Sequence, residues 1–199
     1  MKRSFPVDVL WCANARGSQS NGWSFPARVR KFFKERYAGK RVLHLFGGRA
    51  DFGIRVDIDA IVRPDVIADA WMPPFRRDSF DVVILDPPYR HINQQMKHQL
   101  LRTAAELAIE EVAWFHTMWI AGDASVKPIA AYLVRVGDSC ACRCIQIFKV
   151  SATKAPHRPH FTRGPAMKYN RWIHQPQGLP FGPNPPAEAE ASAEEKACA

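Results

Sequence analysis

The feature that most constrains this chain is a series of short apolar segments, each of which ends in an acid or a glycine turn. The segments are RVLHLF (41–46), IRVDID (54–59), DVIADA (65–70) and FDVVILD (80–86). Near-continuous apolar runs are typical of strands that are buried on both faces, as in parallel sheets covered by helices. The sequence therefore predicts an α/β fold with a mainly parallel sheet.

A helix is predicted ahead of the first of these segments. Ser24 can cap its N-terminus, Pro26 suits its first turn, and Gly39 can close its C-terminus. Apolar side chains at helical spacing form one face, namely Val29, Phe32, Phe33 and Tyr37.

The pattern after the fourth segment predicts a second helix and a closing pair of strands. Residues 92–111 are predicted to be helical, 112–122 a strand, and 127–133 a short helix or turn. Residues 132–138 and 142–150 are predicted to be strands joined by a turn, and such a closing pair is often antiparallel.

Size and composition favour one globular domain with short extensions. The 199 residues are 47% hydrophobic, which suits a single core. We expect an irregular N-terminal arm (1–24), the main domain (25–150), a basic, aromatic extension (151–180) and a disordered acidic tail (181–199). No apolar stretch approaches the roughly 20 residues that span a bilayer, and the five cysteines form no disulfide framework. We therefore expect a reduced, cytoplasmic protein without a membrane partner.

The charge of the chain is unevenly distributed. The formal net charge is +9, and residues 187–199 hold four glutamates and one lysine, so removing that −3 leaves +12 on residues 1–186. A strongly basic chain favours a polyanionic partner such as nucleic acid.

The polar groups of the predicted sheet fall at the carboxyl ends of its strands, where open parallel sheets bind ligands. Gly47 and Gly48 follow the first strand and could let the backbone approach a ligand. Asp57 could accept hydrogen bonds from a ribose diol, and Asp69 could meet an adenine amino group. Asp86 ends the fourth strand and begins the sequence Asp-Pro-Pro-Tyr.

These segments together resemble the Class I S-adenosylmethionine-dependent methyltransferases over roughly residues 25–120. The sequence DPPY resembles the catalytic motif of the amino-methyltransferases that modify adenine N6 or cytosine N4 in DNA. The resemblance implies a single Rossmann-like domain whose seven-stranded sheet has an antiparallel closing strand. It also implies S-adenosylmethionine as the cofactor, bound by Phe25, Pro26, Phe46, Gly47, Gly48, Asp57, Ile58, Asp69 and Ala70, and catalysis by Asp86, Pro87, Pro88 and Tyr89.

The chemistry of Asp-Pro-Pro-Tyr suits amino methylation. The lone pair of an exocyclic amino group is delocalised into the base, so the group is a poor nucleophile. The Asp86 carboxylate and the Pro87 carbonyl could accept its two hydrogens and favour sp³ geometry, and the prolines would hold these acceptors in place. Tyr89 could stack on a base that is flipped out or single-stranded. We therefore expect methylation of DNA, with adenine N6 preferred over cytosine N4.

Two features depart from the family pattern. Only eight residues separate Gly48 from Asp57, so the first crossover is predicted to be a tight loop rather than a helix, and Arg49 or backbone N–H groups could replace the helix N-terminus. His44 replaces the family's first-strand acid and is expected to pack as a neutral group.

Other functions remain open on the sequence alone. The chain could methylate an RNA base or a protein glutamine, or it could be a nucleic-acid-binding protein that has lost catalysis. Cys140, Cys142 and Cys144 alternate along one strand rather than forming a CxxC knuckle, so buried thiols are favoured over a metal site.

Overall fold

The computed structural model describes residues 7–12, 25–88, 92–117, 119–136 and 142–152, which all lie within one compact unit. The strands of this part are β1 (Val7–Cys12), β2 (Val42–Leu45), β3 (Ile54–Asp57), β4 (Val66–Ile67), β5 (Phe80–Leu85), β6 (Ala108–His116), β7 (Val126–Val136) and β8 (Cys142–Val150). The helices are α1 (Ala27–Arg36) and α2 (Gln94–Leu107), and a 3₁₀ turn (Ala60–Val62) separates β3 from β4.

The strands form one mixed sheet in the order β1-β7-β8-β6-β5-β2-β3-β4. All neighbouring pairs are parallel except those made by β8, which runs antiparallel to both β6 and β7. Strands β2 to β8 thus confirm the predicted α/β architecture, including its antiparallel closing strand. Strand β1 adds an eighth strand at one edge.

The expectation of an irregular N-terminal arm is wrong for Val7–Cys12. This segment pairs in parallel with β7, from Val7 beside Ala131 to Cys12 beside Val136. VDVLWC shows no clear alternation of polar and apolar residues, so no local pattern marks it as a strand, and it lies at the edge of the sheet.

The predicted short helix or turn at residues 127–133 is also wrong, because these residues belong to the long strand β7. Pro128 indicated a helix start or turn, but the β7–β8 register shifts between Pro128 and Ala130. An irregularity of this kind accommodates a residue that has no N–H to donate.

The second helix ends at Leu107 instead of at residue 111, and Ala108 is both its C-cap and the first residue of β6.

Each of the two helices packs against the sheet through a separate set of buried side chains. On one face, Val29 and Phe33 of α1 pack with Val82, Phe115 and Ile147 in a core that is buried from solvent. Helix α2 contacts β5 and β6 and buries Leu100, Leu101, Ala104 and Ala105. The predicted apolar face of α1 is confirmed for Val29, Phe33 and Tyr37, whereas Ser24 lies outside the described residues and Pro26 occupies the N-cap.

In the part of the chain that the structure describes, neither helix combines the length and the apolar character required to cross a membrane.

Candidate active site

The register of the sheet brings the predicted site residues to one edge. Leu45 of β2 is paired with Val56 of β3 on one side and with Leu85 of β5 on the other. Asp57 is the residue after Val56, and Asp86 is the residue after Leu85. Because neighbouring strands lie about 4.8 Å apart, the backbones at these two acids are roughly 10 Å apart, with the loop after β2 between them.

The connection between β2 and β3 is a loop without a helix. It runs from Phe46 to Gly53 and begins with a turn in which Ala50 N–H donates to Gly47 O over 3.0 Å. Its backbone takes positive φ at Phe46 (61°), Gly48 (49°) and Gly53 (70°). The predicted shortened crossover is therefore confirmed. A positive φ at an aromatic residue is strained, and such residues concentrate at functional sites.

Helix α1 holds this loop in place. Lys34 Nζ lies 2.8 Å from Asp51 Oδ2, and Arg30 lies 3.9 Å from the same oxygen. The Phe52 ring meets the buried ring of His44 edge to face, with centroids 4.5 Å apart. Contacts with α1 and β2 thus restrain a loop that has no helix of its own, and no local sequence pattern predicted these contacts.

Asp57 is held by two backbone donors. Gly48 N–H donates to its Oδ2 and Asp59 N–H donates to its Oδ1, each over 3.0 Å. An ionised carboxylate offers about four acceptor positions, so both oxygens keep capacity for further donors. The carboxylate is half-buried at the mouth of the loop. This geometry suits a cis-diol whose two hydroxyls donate to one carboxylate.

Gly47 packs closely against β3, and its predicted contact with the cofactor stays a prediction. A Cβ added at Gly47 would lie 2.8 Å from the Arg55 Cβ and 3.1 Å from the Arg55 Cα. The missing side chain therefore allows the loop to approach β3, and Gly47 N–H donates to Val56 O at this contact. The glycine fixes the path of the loop toward Asp57.

We expect Gly47→Ala to lower the free energy of unfolding by about 1–3 kcal/mol, because the added methyl group overpacks the contact with Arg55. It should also weaken cofactor binding, since Gly48 would move relative to Asp57. Chemical denaturation and calorimetry measure the two effects. In Gly39→Ala the added Cβ meets nothing within 4 Å and only the positive φ is penalised, so its cofactor affinity should be unchanged. Equal cofactor affinity in both variants would contradict this role of Gly47.

The remaining residues predicted to bind the cofactor are buried or half-buried. Asp69 Oδ1 accepts from Trp71 N–H over 2.9 Å, so one of its oxygens caps a turn. Ala70 is buried and Ile58 is half-buried. The Phe25 ring packs in the core, 5.3 Å from Phe33 and 5.7 Å from Phe115 between centroids, and the neighbouring Pro26 is half-buried. Direct cofactor contacts of these residues stay predictions.

The Asp-Pro-Pro segment leaves β5 directly beside the loop after β2. Asp86 N–H donates to Leu45 O over 3.4 Å, which extends the pairing of β5 with β2 by one residue. Asp86 is half-buried, Pro87 is buried and Pro88 is half-buried. Tyr89 lies outside the described residues, so its predicted stacking role stays a prediction.

His44 lies under the site as a neutral group, as predicted. Its side chain is 1% exposed, and burial, assisted by the positive charge of Arg55, lowers the pKa of His44 from 6.5 to about 4. Burial likewise lowers the pKa of His116, at the end of β6, to about 4. Both imidazoles are therefore uncharged in the folded protein at neutral pH.

These two histidines should make stability depend on pH. The unfolded chain takes up protons as the pH falls below 6.5, whereas the folded chain does so only near pH 4. The free energy of unfolding should therefore fall between pH 6.5 and 4 by up to about 3 kcal/mol for each histidine. Urea denaturation across this range measures the slope. His44→Leu should reduce the slope, and an unchanged slope would contradict a buried neutral His44.

Cys144 lies in β8 and is partly buried. It pairs with His116 and Leu133, and burial raises the pKa of its thiol. Cys140 lies outside the described residues. No group of three His, Cys, Asp or Glu side chains that could hold a metal ion occurs among the described residues.

Comparisons with known proteins support the fold. The sequence matches no protein-family model and no curated protein. Among solved structures, 1,6-didemethyltoxoflavin-N1-methyltransferase from Burkholderia thailandensis, with bound 1,6-didemethyltoxoflavin and S-adenosylhomocysteine, has a TM-score of 0.50 at 8% identity, covering 63% of this chain and 77% of that one.

Two further structures are similar at lower scores. The PH0226 protein from Pyrococcus horikoshii has a TM-score of 0.46 at 14% identity and covers 64% of this chain and 92% of that one. Magnesium protoporphyrin IX methyltransferase from Synechocystis, with bound S-adenosylmethionine, has a TM-score of 0.46 at 12% identity, covering 62% and 76%. Together with the strand order, the toxoflavin methyltransferase comparison identifies a Rossmann-like methyltransferase fold.

Proposed function

We propose that this protein is an S-adenosylmethionine-dependent methyltransferase that acts on an exocyclic amino group of a DNA base, with adenine N6 preferred. The observation that carries the proposal is the common edge at which Asp57, the loop after β2 and the Asp86–Pro88 segment meet. This edge offers acceptors for a ribose on one side and for an amino group on the other.

The residues present fit S-adenosylmethionine at its ribose. The Asp57 carboxylate is oriented by Gly48 and Asp59 and retains acceptor capacity on both oxygens. The fold comparison supports the same cofactor, since the toxoflavin methyltransferase holds S-adenosylhomocysteine. When bound, the cofactor supplies an electrophilic methyl group on a sulfonium.

Asp86 and Pro87 would orient the amino group of the target. The half-buried Asp86 carboxylate accepts one amino hydrogen, and the Pro87 carbonyl accepts the other. With both hydrogens held, the nitrogen lone pair is directed away from the ring and toward the methyl donor. Positioning and preorganised acceptors of this kind account for much of the rate in group transfer.

The charge of the chain supports a nucleic-acid substrate. Residues 1–186 carry a formal charge of +12, counted from the total of +9 and the −3 of residues 187–199. A basic chain of this kind favours the phosphate backbone of a nucleic acid as a binding partner.

The test is methyl transfer from labelled S-adenosylmethionine to matched single-stranded DNA, double-stranded DNA and RNA, and to a glutamine-containing protein. We expect label in DNA, with single-stranded or mismatched targets preferred, because a base must leave the stack to reach Asp86. Preferential methylation of RNA or protein would contradict DNA as the substrate but would still support methyltransferase activity. Cofactor binding without transfer to any acceptor would favour a binding protein that has lost catalysis.

A further inference from the structure

Arg49 occupies the exposed corner of the loop after β2. The chain turns at this point, because Ala50 N–H donates to Gly47 O over 3.0 Å, which leaves Gly48 and Arg49 as the two central residues of the turn. Gly47, Gly48 and Ala50 are buried, whereas Arg49 is exposed. The turn therefore presents one side chain to solvent, and that side chain carries a positive charge.

Most backbone N–H groups of this turn are already hydrogen bonded within the protein. Gly47 N–H donates to Val56 O over 2.9 Å. Gly48 N–H donates to Asp57 Oδ2 over 3.0 Å, and the N–H that closes the turn bonds inside it. Because a backbone amide has one hydrogen to donate, these groups are not free to bind an anion. The donors that the turn can still offer are those of the Arg49 guanidinium.

The charge of Arg49 is not balanced by the acid of its own loop. That acid, Asp51, lies 2.8 Å from Lys34 and 3.9 Å from Arg30, both of which belong to α1. Arg49 itself forms no ion pair and no side-chain hydrogen bond with any residue that the structure describes. The loop and the part of α1 that contacts it thus hold three cations and one acid. A surplus of positive charge at an open edge attracts anionic groups.

The position of Arg49 matches the part of the cofactor to which the proposed function assigns no residue. Arg49 follows Gly48, whose N–H holds Asp57, and consecutive Cα atoms are about 3.8 Å apart. The loop after β2 lies between Asp57 at the end of β3 and Asp86 after β5. A cofactor whose ribose is bound at Asp57 and whose methyl group is directed to Asp86 would bring its sulfur to this loop. The amino-acid chain of the cofactor begins at that sulfur and carries a carboxylate.

We infer that Arg49 binds the carboxylate in the amino-acid part of S-adenosylmethionine, an inference that rests on the proposed function. A guanidinium matches a carboxylate with two parallel N–H···O bonds, and such charge-assisted bonds are about twice as strong as neutral ones. The side chain thus supplies the donors that the short loop uses for its contacts with β3. Arg49 is a cofactor-binding residue, and the acceptor amino group is left to Asp86 and Pro87.

Calorimetry with two probes, S-adenosylmethionine and its decarboxylated form, tests this role through the Kd of each. Loss of the ion pair predicts that Arg49→Ala raises the Kd for S-adenosylmethionine about 5- to 30-fold, the lower part of the range for charge-assisted bonds because the side chain is exposed. The Kd for the decarboxylated form, which has no carboxylate to lose, should rise by no more than about twofold. Arg49→Lys keeps the charge without the planar fork and should give an intermediate Kd for S-adenosylmethionine.

Lys149→Ala is the matched control. Lys149 is exposed and pairs with Glu111 near the start of β6, so the change removes one positive charge from the opposite end of the sheet. Its Kd for S-adenosylmethionine should stay within about twofold of wild type, because salt screens a distant exposed charge. An increase equal to that of Arg49→Ala would indicate a general effect of charge and would overturn the inference.

The other outcomes separate the inference from the proposed function. If wild type and Arg49→Ala bind S-adenosylmethionine equally well, the inference is wrong and the proposed function stands. If Arg49→Ala weakens the binding of both probes equally, the residue does not act through the carboxylate, and the inference is also wrong. If wild type binds neither probe, the proposed function and the inference are both wrong.

Discussion

Replacement of Asp86 by alanine should lower kcat for methyl transfer by about 100-fold or more. The variant loses the acceptor that holds one hydrogen of the amino group, so the nitrogen lone pair stays delocalised into the base. Cofactor affinity should remain within a few-fold of wild type, because Asp57 and the loop after β2 are unchanged. Single-turnover transfer with saturating cofactor, together with calorimetry, separates these two quantities.

Two further variants serve as controls for the effect of Asp86→Ala on kcat. Asp86→Asn retains an oxygen acceptor of the same shape and should keep more activity than Asp86→Ala. Asp81→Ala removes an acid from the first part of the same strand, where Asp81 Oδ1 lies 2.8 Å from Arg41. It should keep wild-type kcat under conditions in which it is folded. A loss at Asp86 no larger than that at Asp81 would refute the acceptor role.

Replacement of Asp57 by alanine should weaken S-adenosylmethionine binding by about 30- to 1,000-fold. Two hydrogen bonds from ribose hydroxyls to a carboxylate are lost, at roughly 1.5 kcal/mol or more each. The loop is also released, because Gly48 and Asp59 lose their common acceptor. The KM for the cofactor should rise far more than the KM for the methyl acceptor, which titration of each substrate measures.

Asp65→Ala provides the matched control for Asp57. Asp65 lies just before β4 and forms an ion pair with Arg55 of β3 at 3.1 Å, away from the carboxyl edge. This change should reduce stability slightly and leave cofactor affinity near wild type. Wild-type affinity in Asp57→Ala would exclude the ribose site that we propose at this residue.

The central strands could be predicted because burial on both faces leaves a direct mark on sequence. Strands β2, β3 and β5 fall inside the predicted segments, and Asp57 and Asp86 end or follow them as expected. The two-residue strand β4 is much shorter than the apolar segment DVIADA, although Ala68 N–H still bonds to Asp57 O just beyond it. Such tertiary hydrogen bonds are invisible in the sequence.

The outer elements could not be predicted because their environment is set by distant partners. Strand β1 depends on its pairing with β7, more than a hundred residues away, and β7 tolerates Pro128 only through its irregular pairing with β8. The boundary between α2 and β6 carries no glycine or proline at Leu107–Ala108, so nothing local marks the change from helix to strand.

The same distinction applies to the candidate site. The sequence alone predicts that Asp57 and Asp86 lie at strand ends. The contact of Gly47 with Arg55 and the ion pair between Lys34 and the loop are visible only in the structure. The strand predicted over residues 112–122 belongs to β6, which begins at Ala108 and ends at His116, so its ends were also not readable from the sequence.

The most direct test of the central claim is mass spectrometry of nucleosides from DNA that has been incubated with the protein and methyl-labelled S-adenosylmethionine. The account predicts labelled N6-methyldeoxyadenosine with wild type and none with Asp86→Ala. Label at cytosine N4 would identify cytosine as the target base and would still agree with the proposed roles of Asp86 and Pro87. Label confined to a carbon or ring-nitrogen position of a base, or equal label with Asp86→Ala, would contradict the proposed mechanism.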